Sequence, residues 1–308
     1  MAVKKLTELV DKVKSLPRMR VSVAAGEDPH TIEAVARGVN EGMIDATLTG
    51  DEAKIKEVAK KYKIDPGIFH IIHISDKTKA AQSAVEIVNA GKADFLMKGL
   101  VDSAVYMKAI LDKEKGLLPP GKTLSHVTVI GVPTYPKLLI TTDVAVLIAP
   151  DLSQKIEMIG YAVDIAHRLD IEKPKVAVIA AVEKVNPKMC CTMDAAVLTQ
   201  MNRRGQIKGC VVDGPLAMDL AVSMESKEIK GVDSEVAGDA DVLLFPDIEA
   251  GNVFYKAVAH LAGGHVAAIV TGAKVPCILT SRGDDEDSKF YSIALAALMA
   301  GKPVTHRP

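Results

Sequence analysis

Residues 19–51, MRVSVAAGEDPHTIEAVARGVNEGMIDATLTGD, carry a strand, a helix and a second strand in one short span. MRVSVAAG is an apolar run closed by glycine, the pattern of a buried strand. DPHTIEAVARGVNEG reads as a helix, with Asp28 as its cap and Pro29 at the first helical position. DATLTGD returns to strand.

The same alternation continues downstream. DEAKIKEVAKKYKI is helical, FHIIHI a strand, DKTKAAQSAVEIVNAG a helix ending at Gly91, and ADFLMKGL a strand. Repeated strand–helix order predicts an α/β fold, with a parallel sheet covered by helices on both faces. The loop KEKGLLPPGKT, rich in Pro and Gly, then separates a second series. That series contains the strand-like LSHVTVIGVP, KLLITTDVAVLIAP, KVAVIAAV, GCVVDGP and ADVLLFPD. Between and after them come the helical DLSQKIEMIGYAVDIAHRLDI, MDAAVLTQMNRRG and AGNVFYKAVAHLAG. Two such series predict two α/β domains.

Composition narrows the function classes. The 308 residues are 48% hydrophobic and 25% charged with a net charge of -1, as expected of a globular protein and not of a general nucleic-acid binder. Aromatic residues are 4% with no Trp, which argues against stacking platforms for single strands. Cys190, Cys191, Cys210 and Cys277 include no CxxC spacing, so neither a disulfide scaffold nor a zinc site is expected, and a reducing cytoplasm is the simpler home. No run reaches the ~18 apolar residues of a membrane span.

In open α/β sheets ligands sit where strands end, so polar residues at those corners are the candidates. Lys98 ends a strand, with Ser103 and Lys108 on the following helix; they could hold a phosphate or be surface groups. In VVDGPLAMD a strand ends at Asp213, and Gly214 either makes an ordinary turn or lets backbone approach a ligand. In LLFPDIEAGNVFYK, Gly251 and Asn252 open a helix whose N-terminus suits an anion, or Asn252 is its cap. His126 is a possible phosphate donor or a hydrogen-bonded structural histidine. Near the C-terminus, LTSRGDDEDSKFYSIALAALMAGKP sets Ser281, Arg282 and Gly283 ahead of four acids that begin a helix.

DGPLAMD, VAGDADVLLFPDIEAGNVFYK and the terminal SRG before a helix resemble, in that order and spacing, the phosphate acetyl/butyryl transferases. LSHVTVI, TTDVAVLIAPDLSQK and EKVNPKMCCTMDAA resemble the butyryl branch more than the acetyl one. The resemblance implies reversible acyl transfer between coenzyme A and inorganic phosphate, with no bound cofactor and no metal. It also implies the two-domain architecture of the isocitrate and isopropylmalate dehydrogenases, with a cleft between domains. Residues 1–124 with 274–308 would form the first domain and residues 125–273 the second. A homodimer or larger homo-oligomer, with small-molecule substrates and neither nucleic acid nor membrane as partner, is implied as well.

Within the resemblance, Ser281 and Arg282 match the catalytic corner. Arginine's planar fork suits phosphate, and a hydroxyl suits the thioester carbonyl or sulfur. The acetyl-transferring relatives carry an aspartate where this chain has Ser288, so the resemblance leaves the base for the coenzyme A thiol to neighbouring Asp287, with Asp284 or Asp285 as alternatives. Two polar residues of those relatives are here Ile278 and Leu279, which suits either a longer acyl chain or a buried strand. Lys98, Ser103, Lys108, Asp213, Gly214 and Asn252 would bind substrate. The alternatives are acetyl transfer, a metal- and NAD-dependent dehydrogenase of the same fold, or a non-catalytic coenzyme A or solute binder. The scatter of Asp213, Asp219 and Asp247 and the lack of GxGxxG count against the dehydrogenase.

Overall fold

The computed structural model of the chain describes residues 2–280 and 283–301. It is a mixed α/β fold in two compact units. From the N-terminus, α1 (Leu6–Lys14) precedes β1 (Met19–Ala24), α2 (Pro29–Asn40), β2 (Ile44–Gly50) and α3 (Glu52–Lys61). β3 (Phe69–His73), α4 (Lys77–Asn89), β4 (Phe95–Lys98) and α5 (Ser103–Ile110) continue the alternation. The second series runs β5 (Ser125–Gly131), β6 (Leu139–Thr142), α6 (Leu152–Arg168), β7 (Lys175–Ile179) and α7 (Cys190–Arg203). It goes on through β8 (Val211–Leu216), α8 (Met218–Val222), α9 (Met224–Lys230), β9 (Val242–Leu244) and α10 (Ile248–Leu261). The chain closes with β10 (His265–Thr271), β11 (Cys277–Ile278) and α11 (Glu286–Ala300).

The first unit comprises Thr7–Leu124 and Val266–Pro308. Its strands lie in the order β3-β2-β1-β4-β11-β10. β1 to β4 and β11 pair in parallel, as Val23↔Leu48, Val23↔Met97 and Ile278↔Met97 show, while β10 is antiparallel to β11. The parallel strands therefore deliver their carboxyl ends to one edge. After β3 the chain returns to the far side of β1, so β1 and β4 flank the point where strand order reverses, the usual ligand position in open α/β sheets. Aspartates fix the helix starts: Asp28 Oδ2 accepts from Thr31 N at 2.8 Å, and Asp51 and Asp76 cap α3 and α4 likewise. Such caps contribute about 1 kcal/mol each. In α11 the core side chains Phe290, Ile293, Leu295 and Leu298 are buried.

The second unit comprises Met1–Leu6 and Ser125–His265, with strand order β5-β6-β9-β7-β8. β6, β9, β7 and β8 are parallel, and β5 is antiparallel to β6. Its core gathers Leu139, Val144, Ala177, Leu216, Leu220, Val236, Leu243 and Phe245. Asp151 and Gln154 form a reciprocal capping box at α6.

The sheets depart from the all-parallel expectation where crossovers are missing. β5 and β6 are joined by a short turn without a helix, and a parallel return needs a dozen or more residues. HVAAIVT, not assigned from the sequence, forms β10; its Ala268 N donates to Ser292 Oγ of α11 at 2.9 Å. Residues from Val266 onward group with the first unit. The helices α8 and α9 also escaped the sequence reading.

Candidate active site

At the switch point of the first unit, Ala25 adopts a left-handed φ of 55° and ends β1 in a tight corner. Its carbonyl accepts from Leu100 N at 2.6 Å, and Ala24 O accepts from Gly99 N at 2.9 Å, so the β1 and β4 corners are locked together. A non-glycine residue held in that region marks strain of the kind found at ligand sites. Lys98, at the end of β4, is 3% exposed, with Nζ 3.3 Å from Gly99 O and 3.2 Å from Val101 O. It is a buried cation, unlike an ordinary surface lysine.

Ser103 is the exposed first residue of α5. Lys108, further along α5, lines a cavity of about 310 Å³ with Thr78, Gln82, Glu86, Asp112 and Lys115, a cavity that Lys98 and Ser103 do not line.

Ser281 and Arg282 lie outside the described residues. From Gly283 onward the acids have assigned tasks. Asp285 caps α11, accepting from Ser288 N at 2.8 Å. Asp287 Oδ1 accepts from Arg37 Nη1 at 2.8 Å, and Glu286 lies 3.3 Å from the same nitrogen. Arg37 also donates Nε to Glu41 at 3.1 Å and stacks over Phe290, 3.7 Å from the ring centroid. Burial opposes the charge on Arg37, yet the hydrogen bonds it donates to Asp287, Glu41 and Glu286 outweigh it and raise the guanidinium pKa. Burial pushes the Glu286 carboxyl up, although Arg37 opposes this.

A second tie holds the same turn. Lys289, 2% exposed, sets Nζ 3.3 Å from Asp284 O and 3.7 Å from Asp28 Oδ2. Burial works against ionisation of Asp28, but its bonds to Thr31 and the Lys289 charge leave its pKa below the ordinary value. Residues 284–289 are thereby fixed to both ends of α2. Ile278 is fully buried in β11, so for it the strand explanation holds, whereas Leu279 is half-buried.

Glu27, in the β1–α2 corner, is 6% exposed. Its Oε1 accepts from Asp51 N at 2.7 Å, and its Oε2 has no hydrogen-bond partner among the described residues.

In the second unit, β8 runs through Asp213-Gly214-Pro215 to Leu216, correcting the expected strand end at Asp213. A Cβ on Gly214 would meet Val178 O at 2.8 Å and Ala195 Cβ at 3.2 Å, so this glycine lets β8 approach β7 and α7. Asp213 accepts from Gly214 N at 3.0 Å and lines a cavity of about 540 Å³ with Lys173, Asn202, Arg203 and Lys208. Lys173 and Lys208 precede β7 and β8, which puts that cavity at the amino ends of the strands.

α10 begins at Ile248 with Asp247 as cap, so Gly251 and Asn252 lie inside the helix and neither opens it. Asn252 Nδ2 donates to Val144 O at 2.9 Å, just past the carboxyl end of β6. Asp213 and Asn252 consequently serve opposite edges of the sheet.

The carboxyl edge of this unit holds residues that sequence reasoning passed over. Asp143, 2% exposed, accepts from Ser125 Oγ, His126 N, Ala145 N and Val146 N at 2.7–3.0 Å. His126 is itself buried, its Nδ1 3.4 Å from Thr128 Oγ1, as a structural histidine would be. Lys155 in the first turn of α6 is 5% exposed and bonds Asp194 of α7 at 2.6 Å. The run TTDVAVLIAPDLSQK contains both Asp143 and Lys155, yet nothing in its local pattern reveals burial.

Among the described residues no group of three or more His, Cys, Asp or Glu side chains is disposed to hold a metal ion, and no helix is long and apolar enough to cross a membrane.

The mostly parallel strands, with helices between them, define a mixed α/β protein. The family described as phosphate acetyl/butaryl transferase matches residues 77–297. A phosphate butyryltransferase of Clostridium acetobutylicum is 47% identical over 299 residues, covering 97% of this chain and 99% of that protein. A phosphate acetyltransferase of Thermotoga maritima is 45% identical over 295 residues, covering 96% and 99%. Among solved structures, a branched-chain phosphotransacylase from Enterococcus faecalis V583 superposes with a TM-score of 0.80 at 31% identity, covering 92% of this chain and 99% of that one. The chain belongs to the phosphate acetyl/butaryl transferase family.

Proposed function

We propose that this protein is a phosphate acyltransferase, moving a butyryl or similar short acyl group between coenzyme A and inorganic phosphate by direct attack in a ternary complex. The observation that carries this reading is the 47% identity to a phosphate butyryltransferase across 97% of the chain, together with the Ser281-Arg282-Gly283 corner. Acetyl transfer is the second reading, favoured by the 45% identity to a phosphate acetyltransferase.

In the forward direction a phosphate oxygen attacks the thioester carbonyl carbon. The C–O bond forms, the C–S bond breaks, and the sulfur leaves as thiolate. Negative charge collects on the carbonyl oxygen while phosphate is held, so fixed donors are required at both places. Arg282 takes the phosphate and Ser281 the thioester in this proposal. Asp287 accepts the thiol proton in the reverse direction; Arg37 orients it through Oδ1, leaving Oδ2 for the proton. The coenzyme A thiol, with a pKa near ~8.5, needs such a base at neutral pH.

Lys98, buried at the switch point, supports the reading as a fixed cation for substrate. Ser103, Lys108, Asp213, Gly214 and Asn252 complete the proposed binding set, Lys108 and Asp213 each lining a cavity of its own. The reading includes two domains facing a cleft, as in isocitrate and isopropylmalate dehydrogenases, a homodimer or larger assembly, a cytoplasmic home and no resident cofactor. Half-buried Leu279 supports a site for acyl chains longer than acetyl.

The test is release of free coenzyme A from acetyl-, propionyl-, butyryl- and isobutyryl-coenzyme A, with and without phosphate, in EDTA. Phosphate-dependent release that peaks at four carbons is expected. A peak with acetyl would replace the butyryl reading, and no release with any thioester would overturn the enzyme.

A further inference from the structure

The β1–α2 corner contains a buried carboxylate with one oxygen that has no partner among the described residues. Glu27 is 6% exposed, and Oε1 is held by Asp51 N at 2.7 Å. Oε2 is buried and finds no partner among the described residues. Nor is a cation among them paired with this carboxylate in the way Lys289 faces Asp28 or Lys54 faces Asp51. A buried acceptor without a donor is unfavourable, and native proteins seldom keep one unless something supplies the donor.

The surroundings are built to keep the group where it is. Gly50, at the end of β2, has a φ of 151°, and a Cβ there would stand 2.9 Å from Oε1 and 3.1 Å from Oε2. A side chain at residue 50 would therefore evict the carboxylate. Gly26 N donates to Thr49 O at 2.9 Å, which fixes the residue before Glu27 against the neighbouring strand. The corner lies at the carboxyl edge of parallel strands, beside the reversal of strand order, where this architecture binds its ligands.

The chemistry of the missing donor can be narrowed. The reaction offers three kinds of group: an anionic phosphate, an apolar acyl chain, and the amide N–H and hydroxyl groups of coenzyme A. The first repels a carboxylate, and the second has nothing to donate. We propose that Glu27 Oε2 accepts a hydrogen bond from a neutral N–H or O–H of coenzyme A, making Glu27 a coenzyme-binding residue. This rests on the acyltransferase reading for the identity of the ligand.

The experiment compares Glu27→Gln with the unmodified enzyme. The amide in this variant keeps an oxygen for Asp51 N and turns its NH₂ toward the ligand's donor. The KM for butyryl-coenzyme A should rise about 10-fold or more, the loss expected when a bond to a charged acceptor is removed. The KM for phosphate should stay within about twofold, and the melting temperature should hold or rise, because an unpaired buried charge has gone. A KM for butyryl-coenzyme A within about twofold of the unmodified enzyme would overturn the proposal, as would equal rises for both substrates. Repeating the comparison with butyryl-pantetheine locates the donor. A persisting effect puts it on the pantetheine arm, and an effect confined to the full thioester puts it on the nucleotide. Titration calorimetry with free coenzyme A, on the unmodified chain and on both Glu27→Gln and Glu27→Asp, reads the same bond without turnover. Weaker binding by both variants is expected, and unchanged binding overturns the proposal. If the unmodified chain binds coenzyme A but transfers no acyl group, the function fails while this contact stands or falls on the titration alone.

Discussion

Asp143 and Glu27 are both carboxylates buried at the carboxyl ends of parallel strands, one in each unit, yet their surroundings are opposite. Asp143 receives four donors, three of them backbone N–H groups, and so ties the start of β5 to the loop after β6. Glu27 receives one among the described residues. A saturated buried acid is architecture, since every lone pair it offers is already committed to the fold. The Glu27 oxygen that lacks a partner among the described residues is the one proposed for coenzyme A. The comparison separates structural from ligand-binding acids by their hydrogen-bond accounting, which neither residue type nor position in the fold can do.

Removing the saturated acid should therefore have the largest effect on stability. Asp143→Ala leaves buried donors unpaired and is expected to cost at least about 3 kcal/mol, read as a lower midpoint in urea. A loss below about 1 kcal/mol would mean that the four bonds do not hold the corner together. On the catalytic side, Arg282→Ala should lower turnover by about 10²–10³, the usual result of deleting a donor to developing charge. Normal phosphate KM and turnover would remove Arg282 from the mechanism.

Arg37 sharpens the contrast from another direction, because its work is to position the α11 turn. Arg37→Ala should cost about 1 kcal/mol of stability, a figure kept small because the side chain is 38% exposed. Turnover should fall by about 10-fold as Asp287 loses its orienting contact. Arg37→Lys should recover the charge but not the stacking on Phe290, and so restore activity only in part. A stability loss with unchanged kcat would confine Arg37 to a structural role.

The smallest expected effect concerns pH. Asp28 has a folded pKa below its ordinary value of 3.8, so its stabilising contribution is present above that value and lost as pH falls through the folded pKa. Asp28→Asn should flatten the decline in melting temperature below about pH 4 relative to the unmodified protein. An unchanged acid limb would show that the Lys289 contact adds nothing in solution.

Much of this frame was legible in local sequence. The strand–helix alternation from Met19 to Lys98 and the cap at Asp28 follow from runs and spacings only a few residues long. The antiparallel β5–β6 pair was hidden because periodicity reports a strand and not its direction; the short turn was the available clue. The site was less legible because its contacts are distant in sequence. Arg37 and Asp287 are 250 residues apart, and nothing around either names the other. Glu27 stands just ahead of the cap Asp28 in GEDP, and only burial distinguishes it from an ordinary loop acid before a helix. Asn252 was misread because Asp247, five residues earlier, is the better cap and starts the helix sooner.

The central claim is direct transfer with both substrates bound, and isotope exchange tests it without other assumptions. Labelled coenzyme A is incubated with butyryl-coenzyme A and enzyme in the absence of phosphate, and label entering the thioester is followed over time. The account predicts no exchange until phosphate or butyryl phosphate is added. Rapid exchange without phosphate would reveal an acyl group parked on the protein and would contradict direct attack.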